Sequence, residues 1–173
     1  MDAKSDKICV HAWKGLYVTP LGEAGMCCIQ FPLLTQIDSQ TDIKNIRNED
    51  EWNNIRQSML DGKEHPSCRA CWHVEKENNV SSYRQTFNNV YLKEYEYIKQ
   101  LESNKLYDDE LLFIDIRQTN VCNMKCLSCG PVYSSLWGAE EYKLNHGLKY
   151  SNNEPYNKKL LKSGVLCVDN DQF

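Results

Sequence analysis

The sequence predicts a mixed α+β/α/β chain: a small hairpin-plus-helix module, a helical connector, and then the opening strand, loop and helix of an α/β unit. Three observations carry this reading. KGLYVTP and GMCCIQF are short apolar runs on either side of LGEAG, the pattern of a hairpin with a glycine-bearing loop. Residues 48–62 and 82–103 repeat apolar side chains at helical spacing. DELLFIDIRQTN passes from an apolar run into alternation and leads directly into a cysteine-rich loop.

Taken in order, the hairpin places Cys27 on its second strand. Were the chain before the hairpin to continue as a strand, Cys9 would lie roughly 25 Å or more beyond the position facing Cys27, at about 3.3 Å per residue. HAWKG must therefore bend back, and Gly15 permits it. In NEDEWNNIRQSMLDG, Trp52, Ile55, Met59 and Leu60 share a helical face. Asn48 with Glu51 makes a capping-box-like start and Gly62 a stop. That helix delivers the chain to HPSCRACW, where Pro66 stiffens the approach. A longer helix is expected from about Ser82 to Ser103, with Phe87, Val90, Tyr91, Ile98 and Leu101 near one face. The strand in DELLFIDIRQTN alternates Ile114 and Ile116 with Asp115 and Arg117, and GPVYSSLWGAEEYKLN beyond the cysteine loop is expected to be helical. The tail after Asn145 is polar and weakly patterned.

Composition bounds the function. A chain of 173 residues with 25% charged and 41% apolar residues can bury an ordinary core in one domain or two small ones. The net charge of −4 offers no bulk attraction to nucleic acid or to an anionic membrane, and no Lys/Arg stripe interleaves with aromatics. No stretch resembles a signal peptide or approaches the roughly 18 apolar residues that span a bilayer, so a soluble, cytoplasmic chain with no membrane partner is expected. The nine cysteines, at 9, 27, 28, 68, 71, 122, 126, 129 and 167, are an odd number. In a reducing compartment, thiols two or three residues apart point to metal or cluster ligands over disulfide partners.

Those thiols form two constellations. Cys122, Cys126 and Cys129 lie on a loop at the carboxyl end of a strand, where α/β folds place their chemistry. A structural zinc site is closed by four protein ligands, whereas a four-iron cluster on three thiolates keeps one iron open. The competing reading is a zinc knuckle that borrows His146 or Cys167. The other set is Cys9, Cys27, Cys68 and Cys71, a hairpin plus a CxxC that suits zinc and iron–sulfur equally, because thiolate softness does not choose between them. Cys28 and Cys167 read as core residues. His11, His65 and His73 flank ligand cysteines as surface or supporting groups; Trp13 and Trp72 read as shields; Tyr83 and Arg84 read as part of an amphipathic helix face.

A strand, an asparagine and CxxxCxxC together resemble the signature of the radical S-adenosylmethionine superfamily, carried here by Asn120, Cys122, Asn123, Cys126 and Cys129. The order of Cys9, Gly22, Cys27 and the CxxC of Cys68 and Cys71, with the helix that ends in DGKEHPSCRAC, resembles the SPASM/twitch auxiliary-cluster domain. The resemblance implies two [4Fe-4S] clusters, an open one on the triplet that binds S-adenosyl-L-methionine and cleaves it reductively to a 5′-deoxyadenosyl radical, and a closed auxiliary one on the other four thiolates. It implies a twitch-like module over 1–80, a connector over 81–108, and from 109 to 173 the start of a (β/α) barrel. It also implies a reductant such as a flavodoxin or ferredoxin, and a peptide or small-molecule substrate. Ser128 stands where the family carries an aromatic residue, no Gly-Gly-Glu run follows the triplet, and the twitch-like module precedes the core it usually follows. The stretch from Leu111 to Phe173 has room for only about two βα units of roughly 30 residues each, so the chain is expected to be the front of a longer protein or a shortened gene product. Two further readings are a zinc-stapled binding module without catalysis and a two-cluster electron carrier, the latter needing a fourth ligand for the triplet.

Overall fold

The computed structural model describes residues 7–77, 80–122, 124–127, 129–130, 133–137 and 140. The chain divides into two compact units, one of Met1–Val18 with Glu23–Ile116 and one of Thr19–Gly22 with Arg117–Phe173. In the first unit a one-turn helix α1 (His11–Lys14) runs straight into β1 (Gly15–Val18). Strands β2 (Glu23–Gly25) and β3 (Thr35–Gln36) follow, then helices α2 (Ile43–Ile46) and α3 (Asp50–Leu60). A 3-10 turn (Pro66–Cys68) leads into α4 (Arg69–Lys76), and α5 (Tyr83–Val90) and α6 (Leu92–Ile98) precede β4 (Phe113–Ile116). The sheet order is β3-β2-β1-β4. β1 pairs antiparallel with β2, Tyr17 facing Gly25, and parallel with β4, Leu16 facing Ile114. The strand that leads to the cysteine triplet thus shares a sheet with the hairpin.

HAWKG bends back as α1, but Gly15 is needed for space and not for conformation. Its φ of −107° and ψ of 151° are ordinary extended backbone. A Cβ there would come 2.3 Å from the Met26 carbonyl oxygen and 2.9 Å from His11 Nδ1, closer than any side chain tolerates. Cys27, expected on the second strand, instead lies past the end of β2, in a bend. The Gln30 side chain explains why, because its Oε1 accepts the Met26 N–H at 2.8 Å and takes the donor the ladder would have used.

α3 buries Trp52, Ile55, Met59 and Leu60, the face expected from their spacing, and each such side chain contributes about 1.5–3 kcal/mol. Its start differs from expectation. Glu49 is the N-cap and makes no side-chain capping bond, while Asn48 is occupied elsewhere, its Oδ1 accepting from the Leu106 N–H at 3.4 Å. Gly62, with φ of +70°, ends the helix in a Schellman turn: Lys63 N–H reaches Ser58 O at 2.8 Å and Gly62 N–H reaches Met59 O at 3.1 Å.

The single helix expected over 82–103 is two helices. Tyr91, at φ −111° and ψ 51°, leaves helical geometry between α5 and α6. The break lets Ile98 reach the core at 0% exposure, while Val90, expected on the buried face, is 69% exposed. Around this core, buried cations bind carbonyl oxygens that helix ends leave open. Arg56 donates to Ala12 O at 3.1 Å, to Asn104 O at 2.7 Å and to Arg47 O, and Arg47 donates to Trp13 O. Lys14, buried beside them, pairs with Asp108 at 2.7 Å and Glu110 at 3.4 Å under the Tyr107 ring. On β4, Ile114 and Ile116 are the outward residues, 56% and 52% exposed.

In the second unit, Gly22 closes the 19–22 turn in the left-handed region, its N–H donating to Thr19 O at 2.9 Å. Of the helix expected over 130–145, residues 135–137 and 140 are helical. Ser128, Asn123, His146, Cys167 and the tail lie outside the described residues. Among the described residues, no helix is long and apolar enough to cross a membrane.

Candidate metal centre

The four cysteines of the first constellation arrive from four local structures. Cys9 sits in the segment ahead of α1, and the two residues around it are held by α5: Asn88 Oδ1 accepts the Val10 N–H at 2.9 Å and Asn88 Nδ2 donates to Ile8 O at 2.8 Å. Cys27 occupies the bend after β2, where its carbonyl accepts the Gln30 N–H at 3.3 Å. Cys68 closes the 3-10 turn, whose N-cap His65 accepts the Ser67 N–H on Nδ1 at 3.2 Å. Cys71 is in the first turn of α4, steadied by Trp72 Nε1 donating to His65 O at 3.0 Å. The Phe31 N–H donates to Ser67 O at 3.1 Å and so ties the Cys27 segment to the CxxC.

These segments bring Cys9, Cys27, Cys68 and Cys71 to one pocket, whose other walls are His11, Ile29, Gln30, Met59, Tyr83 and Arg84. Cys27 lines the pocket and its neighbour Cys28 does not. Burial pushes the Cys9 thiol well above its ordinary value and those of Cys27 and Cys68 up to about 12, and the neighbouring thiols add to the rise. Cys71 is raised as well, by burial first. Thiols in this state stay protonated at neutral pH unless a cation joins them, so a metal-containing group would displace the protons and neutralise what burial opposes. Among the described residues no cysteine is disulfide-bonded, and no three His, Cys, Asp or Glu side chains close around a single point as one ion requires.

His11 adds a second sign of a missing partner. Its ring is 1% exposed, stacked on Phe87 with centroids 3.6 Å apart and met edge-on by Phe113 at 4.7 Å. Neither ring nitrogen has a hydrogen-bond partner, although a neutral imidazole must carry one N–H. The ring forms part of the wall of the thiol pocket, where a sulfide-bearing group would bring an acceptor.

Residues 9–72 match the SPASM family, an iron–sulfur cluster-binding domain. The match implies iron–sulfur cluster binding by this stretch. The SPASM region contains all four thiols of the pocket, from Cys9 to Cys71, together with the Gly22 turn and α3. No curated protein and no solved structure matches the chain. The donor set fits the group that the SPASM match implies: soft sulfur ligands in a buried pocket, with an orphaned imidazole on its wall.

The triplet belongs to the second unit. Cys126 is exposed, while Cys122 and Cys129 are half-buried. The loop is held by its own backbone and the helical turn after it: Cys129 N–H donates to Cys126 O at 3.0 Å, Trp137 Nε1 donates to the same oxygen at 3.0 Å, and Ser134 Oγ donates to Met124 O at 2.9 Å. Asn120 is fully buried, and neither atom of its side-chain amide has a partner.

Two pocket residues were misjudged from sequence. Tyr83 and Arg84 do not merely form an amphipathic face; they line the thiol pocket from the start of α5. The local signal present was the Ser82–Gln85 capping box, which the structure forms on both sides. That signal marks where the helix begins and not what its first turn faces.

Proposed function

We propose that the chain is an iron–sulfur protein of the radical S-adenosylmethionine type. Cys9, Cys27, Cys68 and Cys71 hold a closed auxiliary four-iron cluster, and Cys122, Cys126 and Cys129 hold an open one. The observation that carries the reading is the convergence of four thiols from separate segments, Cys9 and Cys71 buried and Cys27 and Cys68 half-buried, on one pocket of the SPASM-matched stretch. The triplet supports its second half by number and placement: three thiols on one loop beyond β4, next to a buried asparagine amide without a partner. When bound, the open cluster supplies one electron to S-adenosyl-L-methionine, whose sulfur–carbon bond breaks to methionine and a 5′-deoxyadenosyl radical. The chain's own part is narrower. The pocket walls exclude water from the auxiliary cluster, α5 fixes Cys9, and the hydrogen-bonded loop around Cys126 and Cys129 sets the spacing of the open site. A cytoplasmic setting with a flavodoxin- or ferredoxin-like reductant goes with this reading, because the thiols need a reducing compartment. So does a radical SAM core acting on a peptide or small-molecule substrate.

Anaerobic reconstitution with iron and sulfide tests it. About eight irons and eight sulfides per chain are expected from two four-iron clusters. A protein that takes up zinc and no iron would favour the zinc-stapled module. The open site has its own test: reduced, reconstituted protein given S-adenosyl-L-methionine should release 5′-deoxyadenosine, and iron-loaded protein that releases none is a cluster carrier without the chemistry.

A further inference from the structure

Arg84 lies outside the matched stretch of 9–72, yet its side chain is on the wall of the thiol pocket. It is 5% exposed and bound on three sides. Nε and Nη2 donate to the two oxygens of Glu75 at 2.9 and 2.6 Å, and Nη1 donates to Ile8 O at 2.7 Å, next to Cys9. The guanidinium carbon stands 4.8 Å from the centre of the Trp72 ring. Ser82 donates its hydroxyl to Glu75 at 2.6 Å, so the carboxylate is itself fixed. A buried ion pair costs desolvation that its mutual attraction only partly returns. A cation held this firmly against a set of sulfur ligands has a use beyond stability, because the ligated set carries negative charge and gains more on reduction.

We propose that Arg84, aimed by Glu75, positions a fixed positive charge against the auxiliary cluster and thereby raises the cluster's reduction potential. Several observations agree on the direction. Arg84 shares the pocket wall with Cys9, Cys27, Cys68 and Cys71, and its Nη1 is anchored on the carbonyl of Ile8, the residue before Cys9. Arg84 lines the pocket and Glu75 does not, so the pair is polarised toward the pocket, cation inward. Local charge and hydrogen bonds to sulfur are the protein's means of setting such a potential. Arg84 touches no reacting atom; it is a positioning residue that acts through the cluster's field.

The inference rests on the reading of the pocket as a cluster site. The test uses the full chain carrying Cys126→Ala, reconstituted anaerobically, so that the pocket's cluster alone reports in a redox titration followed by electron paramagnetic resonance. Arg84→Gln should shift the reduction equilibrium at least tenfold toward the oxidised cluster, a fall of about 59 mV for one electron. Arg84→Lys should recover most of that shift, and Glu75→Gln, which frees the cation's field, should move the potential upward. Arg84→Gln protein with full iron, parental melting and an unchanged potential overturns the inference and leaves the cluster reading standing. Should Arg84→Gln fail to load, Glu75→Gln decides: a raised potential supports the role, and an unchanged one removes it. If the parent takes up no iron, both readings fall together.

Discussion

At the scale of single residues, His11 shows how much a buried polar group leans on what the pocket holds. Its imidazole is pressed between Tyr83, Phe87 and Phe113, and burial lowers its pKa from the usual 6.5 to about 4. It is therefore neutral in the folded chain at any physiological pH. The unfolded chain binds a proton on this residue below about pH 6.5 and the folded one only below about 4. The unfolded state thus holds more protons between those values, and stability falls as pH drops through that window. Burial lowers His65 in the same sense, its largest cause again being desolvation. For His11 the loss between pH 7.5 and pH 5 comes to about 2 kcal/mol. Urea unfolding of the metal-free chain at the two pH values should show it, and His11→Phe, which keeps the aromatic stack, should remove that share of the difference. An identical pH difference in parent and variant would mean that the ring is not buried neutral.

At the scale of elements, α5 is the least obvious contributor to the site, which it joins through Arg84 and Asn88. Asn88 supplies the partners that a neighbouring strand would give to Ile8 and Val10, and so fixes the backbone on either side of Cys9. Asn88→Ala leaves the buried Val10 N–H without an acceptor, at a cost of about 1–3 kcal/mol, and should lower the iron retained after desalting. Asn89→Ala, one position on and exposed, should stay within about 0.5 kcal/mol of the parent. Equal effects of the two on chemical unfolding would remove α5 from the site. This element also marks what the sequence could and could not reveal. The thiols were legible because CxxC and CxxxCxxC are local spacings, and α3 was legible because Trp52, Ile55, Met59 and Leu60 repeat at the helical period. The Arg84 wall of the pocket and the Asn88 anchor beside Cys9 were not, because both residues meet Ile8 across 76 and 80 positions of chain. Pairing of β1 with β4 is equally non-local. The break at Tyr91 leaves no mark in the sequence because the apolar repeat continues through it; the break follows from the packing of Ile98 on a core assembled from elsewhere.

At the scale of the whole molecule, the cysteine sets fall in different compact units, Cys9 to Cys71 in one and Cys122 to Cys129 in the other. Their effects on stability should therefore be separable. In the first unit, a cluster on Cys9, Cys27, Cys68 and Cys71 joins three stretches of chain that the fold otherwise links through a short sheet and through the packing of α1, α3 and α5. Such a link removes closure entropy from the unfolded chain much as a disulfide does, where loops of 15–100 residues give about 3–5 kcal/mol. Metal bound only by the folded state adds its binding energy to that of folding. At about 2–4 °C per kcal/mol for a chain of this size, stripping the pocket's cluster should lower the melting temperature by roughly 10 °C. Cys68→Ala should reproduce that fall and abolish the effect of an iron chelator on the first unit. Cys126→Ala should leave it intact while removing the triplet's share of the iron. Differential scanning calorimetry of the three proteins, with and without chelator, reads all of this, and a chelator that shifts the Cys68→Ala protein as far as the parent would place the stabilising metal somewhere other than this pocket.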